Sequence, residues 1–120
     1  MEIFLLGTGT SIPAPQHTPA GLVVKAANQC LLFDIGPGTL SRLHMAEVTY
    51  DRIDELLLTH LHPDHTLDLA TLLLAFNYAP GAGRTVPFRV TGGRDLEAFF
   101  GRLVALYPEV APASFELRFR

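Results

Sequence analysis

The sequence has one cysteine, Cys30, so no disulfide framework can staple it, and a lone thiol in an apolar segment reads as a small buried hydrophobe. Its nine lysines and arginines are scattered and the formal net charge is −3, which removes the electrostatic footprint of a strong nonspecific nucleic-acid binder. The most apolar segment, a helix expected from Asp64 to about Tyr78, is too short and too polar at its start to span a bilayer, so no membrane partner is expected. Nor is there a basic-then-apolar leader, which makes the cytoplasm the expected compartment. The glycine loop Gly7-Thr8-Gly9-Thr10-Ser11 lacks the lysine of a Walker loop and the third glycine of a dinucleotide fingerprint. It reads as a tight turn, with Ser11 or His17 as substrate contacts or His17 as an exposed loop histidine. There is no internal repeat and no low-complexity segment. No histidine follows His65.

What remains is ordinary globular chemistry, 48% apolar and 9% aromatic in 120 residues, enough for one domain over 1–120 with its own core. Strands are expected at Glu2–Leu6, Ala20–Ala26, Gln29–Asp34, Glu55–Thr59, Pro87–Thr91 and Ser114–Arg120, the second and third forming a hairpin around Ala27-Asn28. Helices are expected at Thr39–Glu47, from Asp64 to about Tyr78, and at Asp95–Leu106, with a turn at Pro80–Gly83. The second is apolar almost all round and should be enclosed against a sheet. The fold class is α/β, with one mixed, mainly antiparallel sheet and packed helices.

Against this background His60-Leu61-His62-Pro63-Asp64-His65 stands out, with three of the five histidines and a carboxylate in six positions after the run Leu56-Leu57-Leu58. Neutral imidazoles and a carboxylate suit zinc, and also iron or manganese. Residues two apart on an extended chain point the same way, so His60 and His62 can face one ion together. Pro63 fits the first turn of a helix, which puts Asp64 and His65 at that helix's start beside the strand end. Two ions held by such groups can share a water and lower its pKa. Singly each residue has a plainer reading. Asp64 could cap the helix, and His60 could be a half-buried histidine at a strand end; the combination is what points to metal. His44, inside an expected helix, reads as structural.

The motif His60-x-His62-x-Asp64-His65 resembles that of the metallo-β-lactamase-fold hydrolases, and its flanks resemble the ribonuclease Z-like branch. Phe4-Leu5-Leu6-Gly7-Thr8-Gly9-Thr10-Ser11-Ile12-Pro13 is similar to the branch's first strand and glycine loop, and Pro19 to Val24 to its second strand. Leu32-Phe33-Asp34-Ile35-Gly36-Pro37-Gly38-Thr39 is similar to its third strand and turn. The resemblance is clear from Met1 to about Pro80 and general beyond. It implies an αββα fold with two divalent ions, zinc first. His60 and His62 would serve one ion, Asp64 and His65 the other, with Asp64 also orienting a metal-bridging hydroxide. It implies an outer-shell role for Asp34, fixing a ligand histidine by hydrogen bonding; the other reading of Asp34 is an Asx-type turn residue. Many members carry glycine where this chain has Asp68, which could accept a bond from a ligand imidazole as a second outer-shell carboxylate, or reach solvent.

The same resemblance implies a hydrolase of phosphodiesters, RNA among the candidate substrates. The rival substrates are a lactone, a thioester or a small cyclic phosphodiester, and the rival class is a noncatalytic metal-binding or interaction half-domain. Family members are about twice this length and draw further ligands from their second half. This chain therefore reads as an N-terminal half, expected to hold metal poorly and turn over little unless a homo-oligomer or a complementing C-terminal half supplies those ligands.

Overall fold

Strand side chains alternate between two faces, and burial follows that period: Leu6, Val23, Cys30, Leu32, Leu56, Phe88 and Val90 are enclosed while their neighbours are not. In the computed structural model, which describes residues 1–12, 14–80 and 83–120, these positions lie on one six-stranded sheet. Its strands are β1 (Glu2–Gly7), β2 (Gly21–Ala26), β3 (Gln29–Phe33), β4 (Glu55–Leu57), β5 (Phe88–Thr91) and β6 (Leu117–Phe119), in that spatial order. β2 and β3 form the expected hairpin, with Val24 opposite Leu31. Its turn residues Ala27 (φ 49°) and Asn28 (φ 62°) take the left-handed conformation that matches a two-residue turn to the twist of its strands.

The sheet is mixed but not mainly antiparallel. Only β1–β2 and β2–β3 run antiparallel; β3–β4, β4–β5 and β5–β6 are parallel. A helix-bearing connection separates each of the last three pairs, and such a crossover returns the chain in its original direction.

Among the described residues these connections hold the α-helices α1 (Thr39–Arg42), α2 (Pro63–Thr66), α3 (Asp68–Tyr78) and α4 (Leu96–Leu106). α3 buries Leu69, Leu72, Leu73 and Phe76, each side chain contributing roughly 1.5–3 kcal/mol. The Phe76 ring stands edge-on to Phe88 at 5.0 Å and to Phe115 at 5.5 Å between centroids. Enclosure holds for one face only, because Leu67, Leu74 and Tyr78 stay exposed.

Two expected helices are broken, each for a visible reason. The helix after Thr39 tightens into a 3-10 turn over Leu43–Ala46 and stops at Glu47, which adopts φ 51°. There the Glu47 amide donates to His44 and the Val48 amide to Leu43, a Schellman ending that also tucks Val48 into the core. The second helix divides at Leu67 because the Asp68 amide donates to the Ile35 carbonyl at 3.0 Å. A neighbouring loop has thus entered the helical ladder. The turn expected at Pro80–Gly83 includes Gly81 and Ala82, which lie outside the described residues. No helix among the described residues is long and apolar enough to cross a membrane.

Candidate metal centre

The histidine motif sits where β3 and β4, paired in parallel, both end. Beyond Phe33 the chain turns at Asp34, whose φ of 58° is unusual for a residue with a side chain and tolerated best by Asp and Asn. That turn sends Ile35 and Gly36 across to α2. The Ile35 amide donates to the His65 carbonyl at 2.8 Å, and the Ile35 carbonyl accepts from Asp68. Gly36 lies so close that a Cβ there would come within 1.8 Å of the Asp64 carbonyl oxygen. Only glycine permits this approach. Two loops distant in sequence are therefore locked together, and the second carries the motif.

His60, His62 and Asp64 each offer a ligand atom, and these atoms all lie within 4.8 Å of one another. The His60 and His62 rings meet edge-on at 4.6 Å between centroids, and His60 and His65 approach to 4.0 Å. Both outer histidines, His60 and His62, are exposed, whereas Asp64 and His65 are half-buried. His60, His62 and Asp64 therefore converge on one place, with the His65 ring beside His60 and Asp64.

Asp34 is buried, and its carboxylate reaches across to the end of β4. One oxygen accepts from the Thr59 amide at 2.8 Å, and the other meets His65 Nδ1 at 2.7 Å. The carboxylate–imidazole bond expected of Asp34 is present. Because an ionised carboxylate only accepts, the neutral His65 imidazole is the tautomer with its proton on Nδ1 and a lone pair on Nε2. That Nε2 lies 3.4 Å from Asp64 Oδ2. Two lone-pair atoms facing each other repel unless something positive sits between them, so the donor set fits a cation.

Asp68 is half-buried and has a partner that neither reading of it named. Its carboxylate accepts from the Leu40 amide at 3.1 Å, tying α3 to the first turn of α1, and among the described residues it makes no hydrogen bond to an imidazole. His17 is exposed, as is Ser11. His44 bonds through Nδ1 to the Ser41 carbonyl at 2.8 Å, away from the motif. The glycine loop is a close backbone crossing. The Gly9 amide donates to Thr18 at 2.7 Å, and a Cβ on Gly7 would lie 2.1 Å from the Pro19 carbonyl.

Two contributors escaped sequence reasoning. Thr59, between the apolar run and the first histidine, has its hydroxyl 2.9 Å from Asp34 Oδ2 and 3.0 Å from His60 Nδ1. Gly36 was read as part of a turn, while its role is to admit the Asp64 backbone. A hydroxyl residue abutting a histidine cluster is a signal that could have exposed the first; the second depends on a contact no local pattern encodes.

Residues 1–90 match the family described as Anti-Pycsar protein Apyc1. The chain is 34% identical over 107 residues to Zinc phosphodiesterase ELAC protein 1 of Bos taurus, covering 88% of this chain and 30% of that protein. It is 41% identical over 83 residues to Ribonuclease Z of Mycolicibacterium gilvum, covering 67% of this chain and 29% of the relative. Among solved structures, human tRNase Z, short form, superposes with a TM-score of 0.79 at 28% identity, over 99% of this chain and 43% of the human one. The chain thus spans about a third of the length of the curated relatives it matches. It belongs to the Anti-Pycsar protein Apyc1 family, and its relatives and structural neighbours are ribonuclease Z-type proteins of the metallo-β-lactamase fold.

Proposed function

We propose that this chain carries the first part of the metal centre of a metal-dependent hydrolase acting on phosphodiesters. The observation that carries the reading is the convergence of His60, His62 and Asp64 within 4.8 Å, with His65 turned toward Asp64 by Asp34. His60 and His62 would hold one ion, Asp64 and His65 a second, with zinc the first candidate and manganese or iron the alternatives. Ions bound there supply Lewis acidity, lowering the pKa of water and offsetting charge on phosphate oxygens. Asp64 has oxygens to spare, one to ligate and one to accept a proton from the attacking water and so orient it. Asp34 holds the His65 ring in one orientation and one tautomer.

Four ligand groups are few for two ions, and no histidine follows His65. We therefore expect weak cation retention by these 120 residues and turnover only when groups from outside them complete the shell. Purified chain should take up zinc or manganese in equilibrium dialysis with metal analysis, and His60→Ala should abolish it. Bis(p-nitrophenyl) phosphate hydrolysis should appear only with the complementing segment and disappear on chelation. Absence of both uptake and ion-dependent hydrolysis would sink the proposal and leave the noncatalytic interaction module.

Within phosphodiesters, charge favours a small substrate over a long RNA. Arg42 and Arg84 are committed to backbone carbonyls, and Arg89 and Arg118 to Glu55 and Glu116, in a chain of net charge −3. Five of the nine cations lie outside those four, yet a net charge of −3 gives a polyanion little overall attraction. Comparing a cyclic mononucleotide with a precursor transfer RNA as substrates of the completed enzyme decides between the two.

A further inference from the structure

Four contacts around one hydroxyl fix where the histidine protons sit. Thr59 Oγ1 lies 2.9 and 3.1 Å from the two Asp34 carboxylate oxygens, 3.0 Å from His60 Nδ1 and 3.4 Å from His65 Nδ1. The hydroxyl has one proton to give. His65 Nδ1 already donates to Asp34 at 2.7 Å, its shorter contact. If the Thr59 proton went to His60, hydroxyl and carboxylate oxygens would face each other at 2.9 Å with nothing between them. Donated instead to the carboxylate, it forms a charge-assisted bond and leaves the Thr59 lone pairs free for His60 Nδ1–H.

We propose that Thr59 is a positioning residue: its hydroxyl relays the Asp34 carboxylate to His60 and holds that imidazole with its proton on Nδ1 and its Nε2 free to ligate. Asp34 sits against His65 and cannot also reach His60, so one buried carboxylate sets two tautomers, one directly and one through a hydroxyl. The arrangement matters because an unconstrained histidine prefers its proton on Nε2, the nitrogen a metal would need. The geometry stands alone; its consequence for metal binding rests on the metal-centre reading above.

The test uses the metal-free chain labelled with nitrogen-15, at about pH 8, where ordinary histidines are neutral. Two-bond proton–nitrogen correlation spectra report which ring nitrogen of each histidine carries the proton. In the unmodified chain and in Thr59→Ser, His60 is expected in the Nδ1–H form. Thr59→Val, which keeps the backbone bond from residue 59 to Asp34, should shift His60 toward Nε2–H while leaving His65 unchanged. Zinc affinity should fall roughly tenfold in Thr59→Val and stay near the unmodified value in Thr59→Ser. An identical His60 pattern in the unmodified chain and Thr59→Val overturns the relay even if zinc binds. A tautomer change in a chain that binds no zinc leaves the relay standing and removes the metal-centre reading. Should Thr59→Val fail to fold, a His60 already in the Nε2–H form in the unmodified chain overturns the proposal, and an Nδ1–H form kept in Thr59→Ser supports it.

Discussion

The two ends of the β3–β4 pair use the same device for opposite purposes. At one end Asp34, leaving β3, accepts from the Thr59 amide beyond β4; at the other, Asp54, entering β4, accepts from the Cys30 amide of β3 at 2.7 Å. Each carboxylate clamps neighbouring strand ends. The Asp54 end is then closed by Arg84, which is buried and donates to the carbonyls of Val86, Asp51 and Pro87 while its guanidinium stacks over Phe76 and Phe88. Burial pulls the Arg84 guanidinium below its ordinary value, opposed by Asp54 and Asp51. Burial, and then Asp54, pushes the Cys30 thiol up, so it is a poor nucleophile. At the histidine end the donors are spent on holding rings in place, and the Nε2 of His65 is left over. Identical clamps thus finish in a sealed joint at one end and in uncommitted ligand atoms at the other.

The comparison breaks most violently at the sealed end. Arg84→Met leaves three carbonyls without donors and removes the stacked guanidinium, so the unfolding free energy should drop by about 3–4 kcal/mol. Zinc affinity should stay within about twofold, because the change lies at the far end of the strands. Urea denaturation read alongside a zinc titration separates the two, and an unchanged midpoint would refute the role given to Arg84. Next comes Gly36→Ala. The added methyl meets the Asp64 carbonyl, so α2 must move; a loss of about 2–3 kcal/mol is expected together with weakened zinc binding. Gly93→Ala is its control. Nothing lies within 4 Å of that Cβ, and the change should stay within about 0.5 kcal/mol.

These residues also mark how far the sequence could be read. The strands, the β2–β3 hairpin and the convergence of His60, His62 and Asp64 were legible, because period-two alternation and clustered ligand types are local signals. That Asp34 would bond a ligand histidine came from family resemblance; that the histidine is His65 came from the structure. The parallel direction of β4 to β6 was not read, although the intervening helices imply it. The break at Leu67 was unreadable. Its cause is the Ile35 carbonyl, some thirty positions earlier, competing for the Asp68 amide, and the bond from the Leu40 amide to the Asp68 carboxylate likewise comes from a segment distant in sequence. Thr59 lay in plain view, and its meaning depended on a carboxylate from another strand.

The histidine end should respond to mutation in the opposite sense from the sealed one. His60 and His62 are exposed and bury little, so His60→Ala or His62→Ala should change the unfolding free energy by less than about 0.5 kcal/mol without metal. Zinc affinity should fall at least about a hundredfold, equivalent to about 2.7 kcal/mol at 1.36 kcal/mol per decade. Calorimetric titration measures the second quantity and denaturation of the metal-free protein the first. A histidine variant that unfolds much earlier yet binds zinc normally would make this end another structural joint.

A more modest effect than at Arg84 or Gly36 belongs to a third carboxylate, the first residue of β4 and next to Asp54. Glu55 takes a 2.6 Å bond from the Thr91 hydroxyl and a 2.9 Å bond from Arg89 on the neighbouring strand. The Thr91 bond holds its carboxyl below the ordinary 4.5, with Arg89 assisting and burial opposing. A depressed folded value means that the ionised form is the stabilising one. Its contribution is present in full above 4.5 and is lost as pH falls through the folded value. Glu55→Gln should therefore cost about 1 kcal/mol at neutral pH, and the gap should narrow as the pH falls below 4.5 and through the folded value. Urea midpoints across that range test it. A gap that survives in acid would mean that Glu55 acts through packing and not charge.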